Sequence, residues 1–187
     1  MDRSIVYSVN GIILKRRDSG EADRILTVLT LEFGKIRVIA RGVRRILSRR
    51  ASQVEIFSPV KLVLHKGRAL DTVTEASRLP GARISPENLK QVGLAYFVCE
   101  IADRLLPEYQ REEAAYILLK NSLTAFSGGD NEKAWEDEAY YFSLKLLWSL
   151  GYLPPQVRLP KDQVQPYIEK IIEKKLRSVG LLTKFQN

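Results

Sequence analysis

The sequence predicts an α+β protein, with a small β-barrel over residues 1–80 and an all-helical domain over residues 81–187. Three observations carry this. Before residue 80, apolar and polar residues alternate along several short runs, the period of a strand with one buried face. After Pro80 and Gly81 the apolar residues recur at helical spacing instead. Charge divides at the same place: residues 1–80 hold 16 Lys or Arg against 8 Asp or Glu, whereas residues 81–187 hold 14 of each. The net charge of +8 therefore belongs wholly to the first half.

In the first strand, Ile5, Tyr7, Val9 and Ile13 share one face and Ile12 and Leu14 the other, with Gly11 placed where a closed barrel needs a bend. Residues 16–20 are polar and read as a turn. A second strand over Arg24 to Leu31 and a third from Gly34 to Arg41 form a hairpin. Two further strands, Val54 to Leu64 (broken near Pro59) and Leu70 to Ala76, flank a Lys66-Gly67-Arg68 turn. Five short strands of this kind suit a curled sheet or small barrel, with Ile36, Val38, Leu62, Leu64 and Val73 inside. Ser85-Pro86-Glu87 then reads as a helix start, and the helix runs to about Leu106. Further helices are expected over about 111–126, 131–150 and 167–179, with 156–166 as a loop.

The most unusual stretch is Gly34 to Arg50, in which seven of seventeen residues are Lys or Arg and which lies in an acid-free run from Phe33 through Val54. Ile36, Val38 and Ala40 face one way, and Lys35, Arg37, Ile39 and Arg41 the other. Such a strand, followed by a turn at Gly42 and a second arginine cluster, suits a polyanion. The candidate nucleic-acid contacts are Lys35, Arg37, Arg41, Arg44, Arg45, Arg49 and Arg50, several of which are expected to pair with Glu32, Glu55 or other acids. Tyr7 and Phe57 are read as core and Phe33 as exposed, so binding is expected to rest on phosphates more than on stacked bases.

Other chemistry is poorly supported. Cys99 is the only cysteine and His65 the only histidine. A disulfide within the chain and a cysteine zinc cluster are therefore excluded. Glu21 and Asp23 read as local capping or pairing groups, and no phosphate loop, dinucleotide fingerprint or zinc-protease motif is present. The reading is of a non-enzyme with no cofactor, no bound metal and no membrane span. The N-terminus lacks the long apolar run of a secretory leader, and a cytoplasmic location is expected.

The run SGEADRILTVLTLEFGKIRVIARGVRR, Ser19 to Arg45, resembles the RecO family of bacterial recombination mediators. Gly20, Glu21, Asp23, Leu29, Thr30, Gly34, Lys35, Ala40, Gly42, Arg44 and Arg45 fall on its pattern, and LLWSLGYLP, Leu146 to Pro154, resembles a helix end in its C-terminal half. The resemblance implies an OB-fold barrel and a helical domain. It also implies binding to single- and double-stranded DNA, annealing of complementary strands, and help in loading recombinase on DNA coated by single-strand-binding protein. Its implied partners are RecR and the C-terminal tail of single-strand-binding protein, and its implied location is nucleoid-associated. Residues 155–166 lack the cysteine zinc insert of many members. Two other readings of the residues stand beside this one: a small-barrel RNA-binding protein, and an interaction adaptor whose basic strand docks an acidic protein.

Overall fold

The computed structural model describes residues 5–44, 54–129 and 131–179. The chain divides into two compact units, residues 1–81 with 106–116, and residues 82–105 with 117–187. The stretch 106–116, which the sequence gives no reason to separate from the helical half, thus belongs to the first unit.

The first unit is a closed barrel of β1 (Val6–Ser19), β2 (Asp23–Thr30), β3 (Gly34–Ala40), β4 (Pro59–His65) and β5 (Asp71–Arg78), in the order β1-β2-β3-β5-β4. This is the OB-fold arrangement expected from the resemblance. β1 closes it because the strand is long enough to pair twice. Residues 6–12 lie antiparallel to β4 and residues 11–19 antiparallel to β2, with Gly11 and Ile12 in both ladders. A Cβ at Gly11 would lie 2.4 Å from the Val28 side chain, so a side chain there would collide with the adjoining strand. The register slips later, between Ile13 and Lys15, where the bulge lies.

Val9, Ile13, Leu26, Val28, Ile36, Val38, Ala40, Leu62, Leu64 and Val73 fill the interior, together with Val43, Val54 and Val60, and Tyr7 packs against them. The inward set read from alternation is therefore the observed one. Residues 16–19 are not a turn as expected: they continue β1 opposite residues 23–26 of β2, and the reversal narrows to Gly20–Ala22. Polar side chains suit this end of the strand because cross-strand pairing, and not burial, holds it.

Asp71 ties the β4–β5 turn to the barrel. It accepts hydrogen bonds from the Tyr7 hydroxyl, from the Gly67 N–H at 3.0 Å and from Lys66 Nζ at 3.4 Å. Burial alone would raise its pKa, but these donors hold it below the ordinary aspartate value. A carboxylate whose folded pKa is depressed stabilises the fold above the unfolded value, and that stability is lost as pH falls through the folded one. Urea midpoints are thus expected to decline below about pH 4, and Asp71→Asn is expected to flatten that decline while lowering stability at neutral pH.

The second unit contains α1 (Leu89–Leu105), α3 (Glu132–Ser149), α4 (Lys161–Ile172) and most of α2 (Glu113–Phe126). α1 packs on α3 and α4, and α3 on α4. Leu94, Val98, Ile101, Leu123, Phe126, Trp135, Phe142, Leu147, Val164 and Ile168 are among the buried side chains. α1 starts later than expected, because Asn88 and not Ser85 caps it, accepting from the Gln91 N–H at 3.0 Å. α4 starts earlier than expected and runs through Pro166. The buried pair Val164 and Ile168, one turn apart, anchors it despite the donor that proline lacks. Cys99 is buried as expected, and burial followed by the nearby Asp103 pushes its thiol pKa up. Among the described residues, no helix is long and apolar enough to cross a membrane and no cluster could hold a metal ion.

Candidate nucleic-acid interface

Register decides which cations share a face. Leu26 and Val38 point inward from β2 and β3, so their neighbours Thr27 and Arg37, paired with each other, point outward. On β1 the residue opposite Thr27 is Lys15, and the residue opposite Ile25 is Arg17. One outward row therefore reads Lys15, Thr27, Arg37, and the next reads Arg17, Ile25, Ile39. Lys15, Arg17, Arg37 and Arg41 are exposed, while Ile25 and Ile39 are half-buried between them. The outcome is an aliphatic strip flanked by cations. Lys15 and Arg37 stand two strand spacings apart, roughly 10 Å.

Of the cations predicted from sequence, Arg37 and Arg41 lie on this face. Arg44 is exposed at its edge, past Gly42, where it donates to the Gly20 carbonyl at 3.1 Å and pairs with Asp18 at 3.4 Å. Gly42 adopts a positive φ of 64°, and its N–H is capped by Asp23 at 2.7 Å, the local role expected for that acid. Lys35 is a correction. Although its position faces outward, its exposure is only 7%, and it is not part of the open face. Burial accompanies a chain crossing from the stretch 106–116: the Tyr109 N–H donates to the Lys35 carbonyl at 2.9 Å, and Glu108 bridges beside Lys35. Arg45, Arg49 and Arg50 lie outside the described residues.

Sequence reasoning missed Lys15, at the end of the first expected strand, and Arg17, inside the turn expected over residues 16–20. The usable signal was the spacing of Lys15 and Arg17 two apart in a strand, but their shared face with Arg37 follows only from register. It also missed Glu108, which pairs with Arg37 at 3.1 Å. Both members are well exposed, the Arg37 side chain by 52% and Glu108 by 37%. An ion pair this open contributes at most about 1 kcal/mol, so a phosphate can displace the carboxylate. Arg16 is different: it lies on the inward-facing parity at the end of β1 and pairs with Glu55. Phe57 is buried and Phe33 is exposed, as expected, and Tyr7 is half-buried.

Two family models match this chain. Recombination protein O N terminal matches residues 1–80, and Recombination protein O C terminal matches residues 86–158. The chain belongs to the RecO family. It is 40% identical over 149 residues to DNA repair protein RecO of Symbiobacterium thermophilum, covering 80% of this chain and 58% of the relative. It is 38% identical over 152 residues to DNA repair protein RecO of Roseiflexus sp., covering 81% of this chain and 52% of the relative. The relative of that name from Pelotomaculum thermopropionicum is 36% identical over 149 residues, covering 80% and 57%. This chain thus spans less than two thirds of the length of these RecO relatives. The barrel with the cationic face is the part matched by the N-terminal RecO model.

Proposed function

We propose that this chain is a non-enzymatic DNA-binding protein of recombinational repair that brings complementary strands together. The observation that carries the reading is the outward face of β1, β2 and β3, where Lys15, Arg17, Arg37 and Arg41 surround Ile25 and Ile39. Long cationic side chains neutralise phosphates and release counterions without reading sequence. Two strands whose charge is lowered in this way repel each other less, and their base edges stay free to pair. Arg44, Arg45, Arg49 and Arg50 extend the same charge along the chain beyond β3.

Family membership supports two finer parts of the proposal, loading of recombinase on coated DNA and contact with RecR. The tail of single-strand-binding protein, acidic with an apolar tip, is the third. In the helical unit, its seat is proposed to be a cavity of about 220 Å³ lined by Leu94, Phe97, Tyr140, Val164 and Lys161. Its mainly apolar lining suits the apolar tip of such a peptide, while Lys161, which pairs with Asp137, and the acid Glu136 complete the lining.

The test is strand annealing, with and without single-strand-binding protein, comparing the wild-type chain with one in which Arg37, Arg41, Arg44 and Arg45 are Ala. Loss of annealing with an unchanged circular dichroism spectrum is the expected result. Full annealing by the variant refutes the reading, and a strong preference for RNA over DNA at matched salt favours an RNA-binding role instead. A gentler change tests the ion pair at the face. Glu108→Gln leaves Arg37 unopposed and is expected to raise DNA affinity about threefold, as measured by fluorescence anisotropy at low salt.

A further inference from the structure

Tyr109 has three properties that together call for a reason. It is the most exposed large hydrophobic side chain among the described residues, at 62%. Its backbone is left-handed, with φ of 58°, a conformation that costs a residue with a side chain about 1 kcal/mol or more and that glycine adopts freely. It is also held in place, since its N–H donates to the Lys35 carbonyl at 2.9 Å, beside the Arg37–Glu108 pair. Strained backbone of this kind clusters at ligand-binding sites, and here it presents an aromatic ring to solvent.

A second exposed ring lies at the same end of the barrel. Phe33, in the turn leading into β3, is 46% exposed and meets Tyr7 edge to face, with ring centroids 5.5 Å apart. Tyr7 is the side chain bonded to Asp71, and the Tyr109 phenol is close enough to act on its ionisation, after burial and Asp71. Cations lie on the strand that follows Phe33 and on the turn tied to Tyr7 through Asp71. Arg37 lies along β3, and Lys66 and Arg68 are exposed in the β4–β5 turn that Asp71 anchors. The nearby acid Glu32 is committed to Asn10, accepting from its backbone N–H and its side-chain amide at 3.0 Å. Aromatic rings set among cations suit a nucleic-acid strand whose phosphates meet the cations and whose bases are unpaired.

Resting on the nucleic-acid reading above, we propose that Tyr109 and Phe33 form a stacking platform for unpaired bases at the β3 entry of the cationic face. The platform adds a preference for single strands to a face that otherwise binds any phosphate backbone. It also revises the expectation that stacking contributes little: the main ring comes from residue 109, far outside the barrel sequence.

Tyr109→Gly separates a binding role from a structural one. Glycine relieves the left-handed strain, so the urea midpoint is expected to hold or rise. Affinity for a single-stranded oligonucleotide is nevertheless expected to fall about tenfold, while affinity for the same sequence as a duplex changes by less than about twofold. Tyr109→Phe is expected to bind like wild type. An oligonucleotide of the same length with abasic sites is expected to bind wild type and Tyr109→Gly equally, and 2-aminopurine fluorescence is expected to be quenched only where the ring is present. Equal losses for single strand and duplex, or no loss for either, overturn the platform and leave the cationic face standing. Failure of the wild-type chain to bind any of these probes overturns the nucleic-acid reading, and the platform with it.

Discussion

Replacing Lys15, Arg17 and Arg37 together by Ala is expected to lower affinity for single-stranded DNA by on the order of a hundredfold at moderate salt. The reason is geometric. These three side chains come from two strands that are not neighbours, yet register places them on one face around Ile25 and Ile39. If each contacts one phosphate, the variant also releases fewer counterions. The slope of log affinity against log salt is then expected to fall by about 2, at roughly 0.7 per phosphate for a single strand. Titrations by anisotropy at several salt concentrations give both quantities. Stability should be little changed, because all three residues are exposed and the Arg37–Glu108 pair is open to water. If affinity and slope match wild type, the strand face is not the binding surface, and the arginines from Arg44 to Arg50 must act alone.

Gly34→Ala is expected to cost roughly 3 kcal/mol of folding stability, a large loss for the addition of one methyl group. Two penalties coincide at this position. Gly34 has φ of 69°, which disfavours any Cβ, and an added Cβ would lie 1.7 Å from the carbonyl oxygen of Gln110. Backbone cannot yield to backbone there without moving the stretch 106–116. That movement would break the bond from the Tyr109 N–H to the Lys35 carbonyl. A lower urea midpoint, together with faster hydrogen exchange at the Tyr109 amide, is the expected pair of observations. An unchanged midpoint would mean that the close approach of Gly34 to Gln110 is not part of the folded state.

Much of the fold can be read along the chain. The alternation in GKIRVIA assigns Ile36, Val38 and Ala40 to the interior and Arg37 to the outside, as observed. Asn131 at the start of α3 accepts from the Ala134 N–H at 3.1 Å, as a helix cap should. Errors arose where local chemistry is ambiguous. Residues 16–19 have the composition of a turn, and residues 156–166, ending at Pro166, that of a loop, but pairing with β2 in one case and a buried apolar pair in the other outweigh propensity.

The sequence by itself determined that a basic barrel half is followed by a neutral helical half, because charge and hydrophobic period are properties of neighbouring residues. Only the tertiary structure decided which cations stand together and which is covered. Lys15 meets the row of Arg37 through two ladders, Lys35 is buried, and Glu108 and Tyr109 arrive beside β3 from more than seventy residues away. Contacts of that separation depend on strand register and chain crossing, and a linear pattern with a period of two residues carries no information about either.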